Sequence, residues 1–163
     1  MKYISIDRMN DFEFHDAGFT LVSHTPEQLV VSARCLNIHK GTDQNPHPTD
    51  MEIEHALITF RHFAVKAFDP GSAWEQDAEG KWFEYEQGVA FTGEEALQKY
   101  LHELREEIHV YHFVRREDGS YSIDAAGSDS PWFEVYFTFD SITIKWDEFL
   151  KPAWYEENAR KEN

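Results

Sequence analysis

Cysteine is almost absent from this 163-residue chain: Cys35 stands alone, so no disulfide can form within it and cysteine-based zinc sites are excluded. Long apolar runs are missing as well. No stretch approaches the ~18 apolar residues a membrane span requires. The first ten residues include Lys2, Asp7 and Arg8 and lack the apolar core of an export signal. Positive charge is scarce: 15 Lys and Arg against 31 Asp and Glu give a net charge of −16. Such a field repels phosphate backbones and disfavours nucleic acid as a partner. Also missing are a phosphate-cradling glycine loop, the two-histidine helix motif of zinc proteases and the serine elbow of hydrolases. These absences point to a cytoplasmic protein with neither membrane nor nucleic-acid partner and no cofactor that the sequence demands.

What is present suffices for a core. Apolar residues make up 41% of the chain, with 13 Phe, 7 Tyr and 5 Trp, and a chain of this length fits one domain without a covalent staple. The expectation is therefore a single domain over 1–163, with an acidic tail that frays after about 156.

The patterning is mostly that of strands. Leu29, Val31, Ala33 and Cys35 alternate with Ser32 and Arg34, which predicts a hairpin with 19–24 through the turn Thr25-Pro26-Glu27-Gln28. Cys35 then lies on the apolar face as an inert, buried thiol. Residues 40–50 carry Pro46 and Pro48 around His47 and read as a loop. From Met51 to Phe68 the apolar phase slips, with Met51 and Ile53 on one face, Ala56, Ile58 and Phe60 on the other, and Phe63 and Val65 back on the first. Bulges or breaks near His55 and His62 would reconcile this. A hairpin around 77–80 would bring Trp74 and Trp82 near each other. Thr92 and Glu95 form a capping-box pair opening a helix near 93–107, with Leu97, Tyr100, Leu101, Leu104 and Ile108 on one face. Glu106 and Glu107 oppose the dipole at its end and weaken the last turn. Strands at 109–116 and 120–126 join at Asp118-Gly119. The alternations at 133–139 and 142–146 are in opposite phase, with a bulge or turn at Asp140-Ser141 between them. The predicted fold is α+β: about eight mostly antiparallel strands in a strongly curved sheet or half-barrel around one main helix, or alternatively a two-sheet sandwich.

Two groups of residues invite chemistry. Between residues 69 and 107 there are 11 acidic and 3 basic residues. Within that span Trp74, Glu75, Asp77, Glu79, Trp82 and Glu84 combine the charge and aromatic character that suit a basic protein partner. At least three of the five tryptophans are nonetheless expected in the core, and Trp154-Tyr155 could fasten the C-terminus down. The second group is His15, Asp16, His39, His47 and Asp50, which would suit a divalent metal if the fold brought them together. Glu52 and Glu54 share a face opposite apolar residues, the pattern of a solvated surface, while His109 and His112 are spaced to face opposite ways.

The most distinctive words lie at the ends: Phe14-His15-Asp16, then Ile142 to Phe149 with Trp146-Asp147-Glu148, then Ala153-Trp154-Tyr155. With the strand from Met51 to Phe60 they resemble a loose class of small uncharacterised bacterial proteins. That resemblance implies no activity and no catalytic residue. The leading expectation is a non-enzymatic acidic protein-binding domain, immunity- or inhibitor-like, meeting a basic partner. A small metal-dependent hydrolase built on the His/Asp group is the alternative, and an exposed edge strand would equally serve a homodimer.

Overall fold

The computed structural model describes residues 1–156. Its elements in chain order are β1 (Tyr3–Ile6), a 3-10 turn (Met9–Asp11), β2 (Phe12–Glu13), β3 (Gly18–Thr25), β4 (Gln28–Arg34), β5 (Leu36–Ile38), β6 (Met51–Ile53), β7 (Ala56–Arg61), β8 (Ala64–Asp69), β9 (Ala73–Gln76), β10 (Trp82–Glu86) and β11 (Phe91–Thr92). The helix α1 (Gly93–Glu103) follows, then β12 (Ile108–Arg115), β13 (Tyr121–Ala126), β14 (Phe133–Thr138), β15 (Ser141–Trp146) and β16 (Phe149–Pro152). Every pairing is antiparallel. Ten strands form one sheet in the order β1-β15-β7-β4-β3-β12-β13-β14-β8-β11, four more the order β16-β6-β5-β2, and β9 and β10 pair by themselves.

The fold is thus α+β with one main helix. The expected eight strands in a half-barrel, or in two sandwiched sheets, are corrected to sixteen in three sheets, none of them closed into a barrel. The larger number arises because long apolar stretches break at sharp bends. Three neighbours in the large sheet, β4, β7 and β15, each run on into a strand of the four-stranded sheet, β5, β6 and β16. The breaks fall at Cys35, at Glu54-His55 and at Asp147-Glu148, and the Glu54 N–H donates to the Glu148 carbonyl at 3.2 Å. Each break shifts the period of two by one step, so Ala33 and Leu36, or Ile53 and Ala56, are both buried although three residues apart. A second corner lies at His62, whose φ is +49°. There β7 gives way to β8, and His62 Nδ1 meets Asp140 Oδ2 at 2.7 Å. The phase slips read near His55 and His62 are these two corners. The corner at Phe139-Asp140 also separates β14 from β15. These strands do not pair with each other; β14 lies between β13 and β8, and β15 between β1 and β7.

One hydrophobic cluster unites the elements. Phe60 contacts Phe63, Phe113, Phe137 and Phe139 with ring centroids between 5.3 and 6.1 Å. Trp146 is fully buried, with Tyr3 stacked on it at 5.3 Å and Phe12 edge-on at 5.7 Å, so β1 and β2 are both held by one side chain. Helix α1 packs over β8, burying Ala96, Tyr100, Leu101 and Leu104. It ends at Glu103, a turn earlier than 107, because Glu107 turns away to hold Arg34 through two contacts of 2.7 Å. Thr92 is its N-cap in extended conformation, but the side-chain capping bond expected there is not made.

Three burial expectations are corrected. Cys35 is exposed with φ +55°, because it sits at a break rather than in the alternation. Glu52 is buried, flanked in register by Asn37 and Lys151, whose Nζ stands 3.7 Å from its Oε2. Of the five tryptophans only Trp146 is buried; Trp74, Trp82, Trp132 and Trp154 are exposed.

Candidate functional site

The two-stranded ribbon of β9 and β10 stands apart from both other sheets. In its register Trp82 faces Gln76, Phe83 faces Glu75 and Glu84 faces Trp74. Side chains alternate along a strand, so Trp74 and Trp82 lie diagonally on one face together with Glu84, while Phe83 and Glu75 occupy the other. A bulge between Glu84 and Glu86 re-aims Tyr85. Trp74, Trp82, Phe83 and Tyr85 are 55%, 61%, 42% and 56% exposed, a concentration of apolar surface unusual outside an interaction site.

The tip is built by Asp77. Its carboxylate accepts the Lys81 N–H at 2.8 Å and the Glu79 N–H at 3.1 Å, and Gly80 takes φ +81° to close the turn. At the base Gly71 and Gly88 touch through their backbones, and a β-carbon on Gly71 would stand 2.6 Å from the Trp132 ring. Both glycines are required by this close approach. The structure therefore brings Trp74, Glu75, Asp77, Glu79, Trp82 and Glu84 onto one projecting element. Between residues 73 and 86 it carries five carboxylates and the single cation Lys81.

The histidine group divides differently. Asp50 is buried, and its Oδ2 accepts from His39 Nδ1 at 2.8 Å and from the Tyr155 hydroxyl at 3.0 Å, while its Oδ1 accepts the Lys40 N–H at 2.9 Å. Burial alone would raise this carboxyl, but the bonds from His39, Lys40 and Tyr155 outweigh it and hold it below its ordinary value. The Tyr155 hydroxyl is pushed up, by burial first and then by Asp50. Asn45 ties the loop between them: its Nδ2 donates to the carbonyls of Ile38, His39 and Thr49 at 3.0–3.3 Å. His47 packs edge-on against Phe149 at 5.0 Å and takes no part.

His15 and Asp16 lie elsewhere, with partners the spacing did not suggest. His109 Nε2 meets Asp16 Oδ1 at 3.2 Å, His15 Nε2 stands 3.8 Å from the same oxygen, and His112 Nδ1 meets Asp124 at 3.2 Å. A bulge between Val110 and His112 brings His109 and His112 to one face, which corrects the reading that they oppose each other; only the odd extra residue in an alternating strand could have signalled it. Among the described residues no three His, Cys, Asp or Glu side chains stand close enough together to hold a metal ion. The Cys35 thiol is raised, by partial desolvation and then by the Glu52 carboxylate, so little of it is thiolate.

No helix among the described residues is long and apolar enough to cross a membrane. Compared with known proteins, the chain matches no family model, no curated sequence and no solved structure.

Proposed function

We propose that this protein is a non-enzymatic binding module whose ribbon, residues 73–86, meets a basic partner protein, with inhibition of that partner as one version of the role. The observation that carries this reading is the joint exposure of Trp74, Trp82, Phe83 and Tyr85 on an element that also bears Glu75, Glu79, Glu84 and Glu86. Aromatic anchors supply most of the affinity at interfaces, and the surrounding acids select basic partners and speed encounter. A ribbon needed only for folding would turn these rings inward, as Trp146 is turned. The test uses wild type and a Trp74→Ala/Trp82→Ala variant as baits against host-cell lysate. A basic protein held by wild type at low salt, released as salt rises and lost by the variant, is the expected result. Retention of nothing by either bait ends this reading.

A second reading, a metal-dependent hydrolase, rests on the His39–Asp50 pair alone, because the other candidate ligands do not gather with it. A carboxylate holding one imidazole nitrogen, as Asp50 holds His39 Nδ1, is the arrangement that orients metal-binding histidines. A melting temperature raised selectively by one divalent metal, and unchanged by that metal in His39→Ala, would favour it.

A further inference from the structure

We infer that the outer edge of β10 is a docking strand: an extended basic segment of the partner adds to the ribbon as a third, hydrogen-bonded strand, with Lys or Arg interspersed with apolar residues. The inference rests on the reading of the ribbon as the binding surface and names how that surface is used.

Three observations point to this edge. Among the described residues β10 pairs with β9 alone, so the backbone groups on its far side are open to a new strand. The chain leads from β10 through residues 87–90 into β11, the terminal strand of the ten-stranded sheet. Pro131 and Trp132 immediately precede β14, which pairs with β8 up to Glu134 and Asp69, and the Trp132 ring stands against Gly71, just before β9. A ring therefore crowds the chain where β9 begins.

The side chains then select the occupant. Along β10, Trp82 and Glu84 share one face, Phe83 and Glu86 share the other because of the bulge at Tyr85, and all five residues are exposed. A strand laid beside them places its own side chains directly opposite, where opposite charges attract and like charges repel. Lys or Arg beside Glu84 on one face and beside Glu86 on the other is favoured, and a cation over Trp82 or Tyr85 gains from the ring face. A second copy of this chain would set Glu84 and Glu86 against acids of its own ribbon, so the same charges that admit a basic strand oppose self-pairing. Main-chain bonds from the edge and side-chain pockets between the rings are the two components of recognition by strand addition.

The probe is a capped peptide of alternating Lys and Val, titrated into the full-length protein at low salt and followed by amide resonances and hydrogen exchange. Two versions carry N-methyl groups on one or the other alternate set of residues, and a Glu–Val peptide controls for charge. The expected result is saturable binding with slowed exchange confined to Trp82–Glu86. One methylated version should bind about tenfold more weakly, the loss of an outward hydrogen bond or two, while the other binds like the parent. The Glu–Val peptide should not bind. If both methylated versions match the parent while Trp82→Ala/Glu84→Gln abolishes binding, strand addition is overturned and the ribbon survives as a basic-protein surface recognised through side chains. If the Lys–Val peptide binds but its effects fall outside 73–86 and persist in that variant, the reading of the ribbon falls as well. If no peptide binds, strand addition is overturned, and the lysate test decides the ribbon separately.

Discussion

Loop 39–50 and ribbon 73–86 are excursions of similar length, and the fold treats them in opposite ways. The loop has no regular backbone, yet Asn45 and Asp50 are buried within it and bind the chain on both sides. The ribbon has a regular ladder and a well-made turn, yet every residue of β10 is exposed. Order therefore comes from different sources. In the loop, buried polar side chains satisfy backbone carbonyls that no strand partner reaches, and leaving them unpaired would be costly. In the ribbon, a backbone ladder and the Asp77 turn hold two strands, an arrangement marginal by itself in water, and large aromatic rings remain uncovered. A region that stabilises the fold spends its side chains inward, whereas a region available to a partner keeps them outward.

This contrast can be broken by experiment. The largest effect expected is on binding: Trp74→Ala and Trp82→Ala should each lower partner affinity by ~2 kcal/mol or more, as interface anchors do. Their denaturant midpoints should stay within ~0.5 kcal/mol of wild type. A large stability loss would show that the rings serve the fold. Asn45→Ala should do the reverse, lowering unfolding free energy by ~2 kcal/mol because three carbonyls lose one donor, and leaving partner affinity unchanged.

Next in size is an acid effect. The folded Asp50 carboxyl lies below its ordinary value, so its contribution is present above that ordinary value and lost as pH falls through the folded one. Stability measured between about pH 5 and pH 2 should therefore fall less steeply in Asp50→Asn than in wild type, and Tyr155→Phe should remove ~1 kcal/mol at neutral pH. A parallel acid limb in Asp50→Asn would mean that other carboxylates govern acid unfolding. The smallest effect belongs to the neck. Gly88→Ala places a β-carbon against the Gly71 carbonyl, which should re-aim the ribbon and reduce partner affinity severalfold while the core melts as before. An unchanged affinity would mean that the ribbon binds without a set orientation.

Much of the local structure was legible in the residues. Thr25-Pro26 and Asp118-Gly119 mark the turns of the hairpins β3–β4 and β12–β13. The apolar face of Tyr100, Leu101 and Leu104 marks α1, and the acids and tryptophans of 73–86 mark the ribbon. Trp154-Tyr155 fastens the end of the described chain through the bond from Tyr155 to Asp50. The failures share a cause. In the sequence Cys35 continues the alternation of β4, because a single residue at a bend is invisible to a period of two. Size alone places at least three of the five tryptophans in the core, but burial depends on what lies opposite, and among the described residues nothing lies over β10.

What the sequence determined by itself was local: strand and turn positions, the helix face, the acidic charge and the grouping of aromatic and acidic residues at 73–86. These follow from alternation, turn chemistry and composition, which act over a few residues. Only the tertiary structure decided which strands pair, that β4, β7 and β15 bend together, that Tyr155 reaches Asp50 across 105 residues, and that four tryptophans stay outside. Those outcomes depend on contacts between segments far apart in the chain, and no short-range pattern carries them.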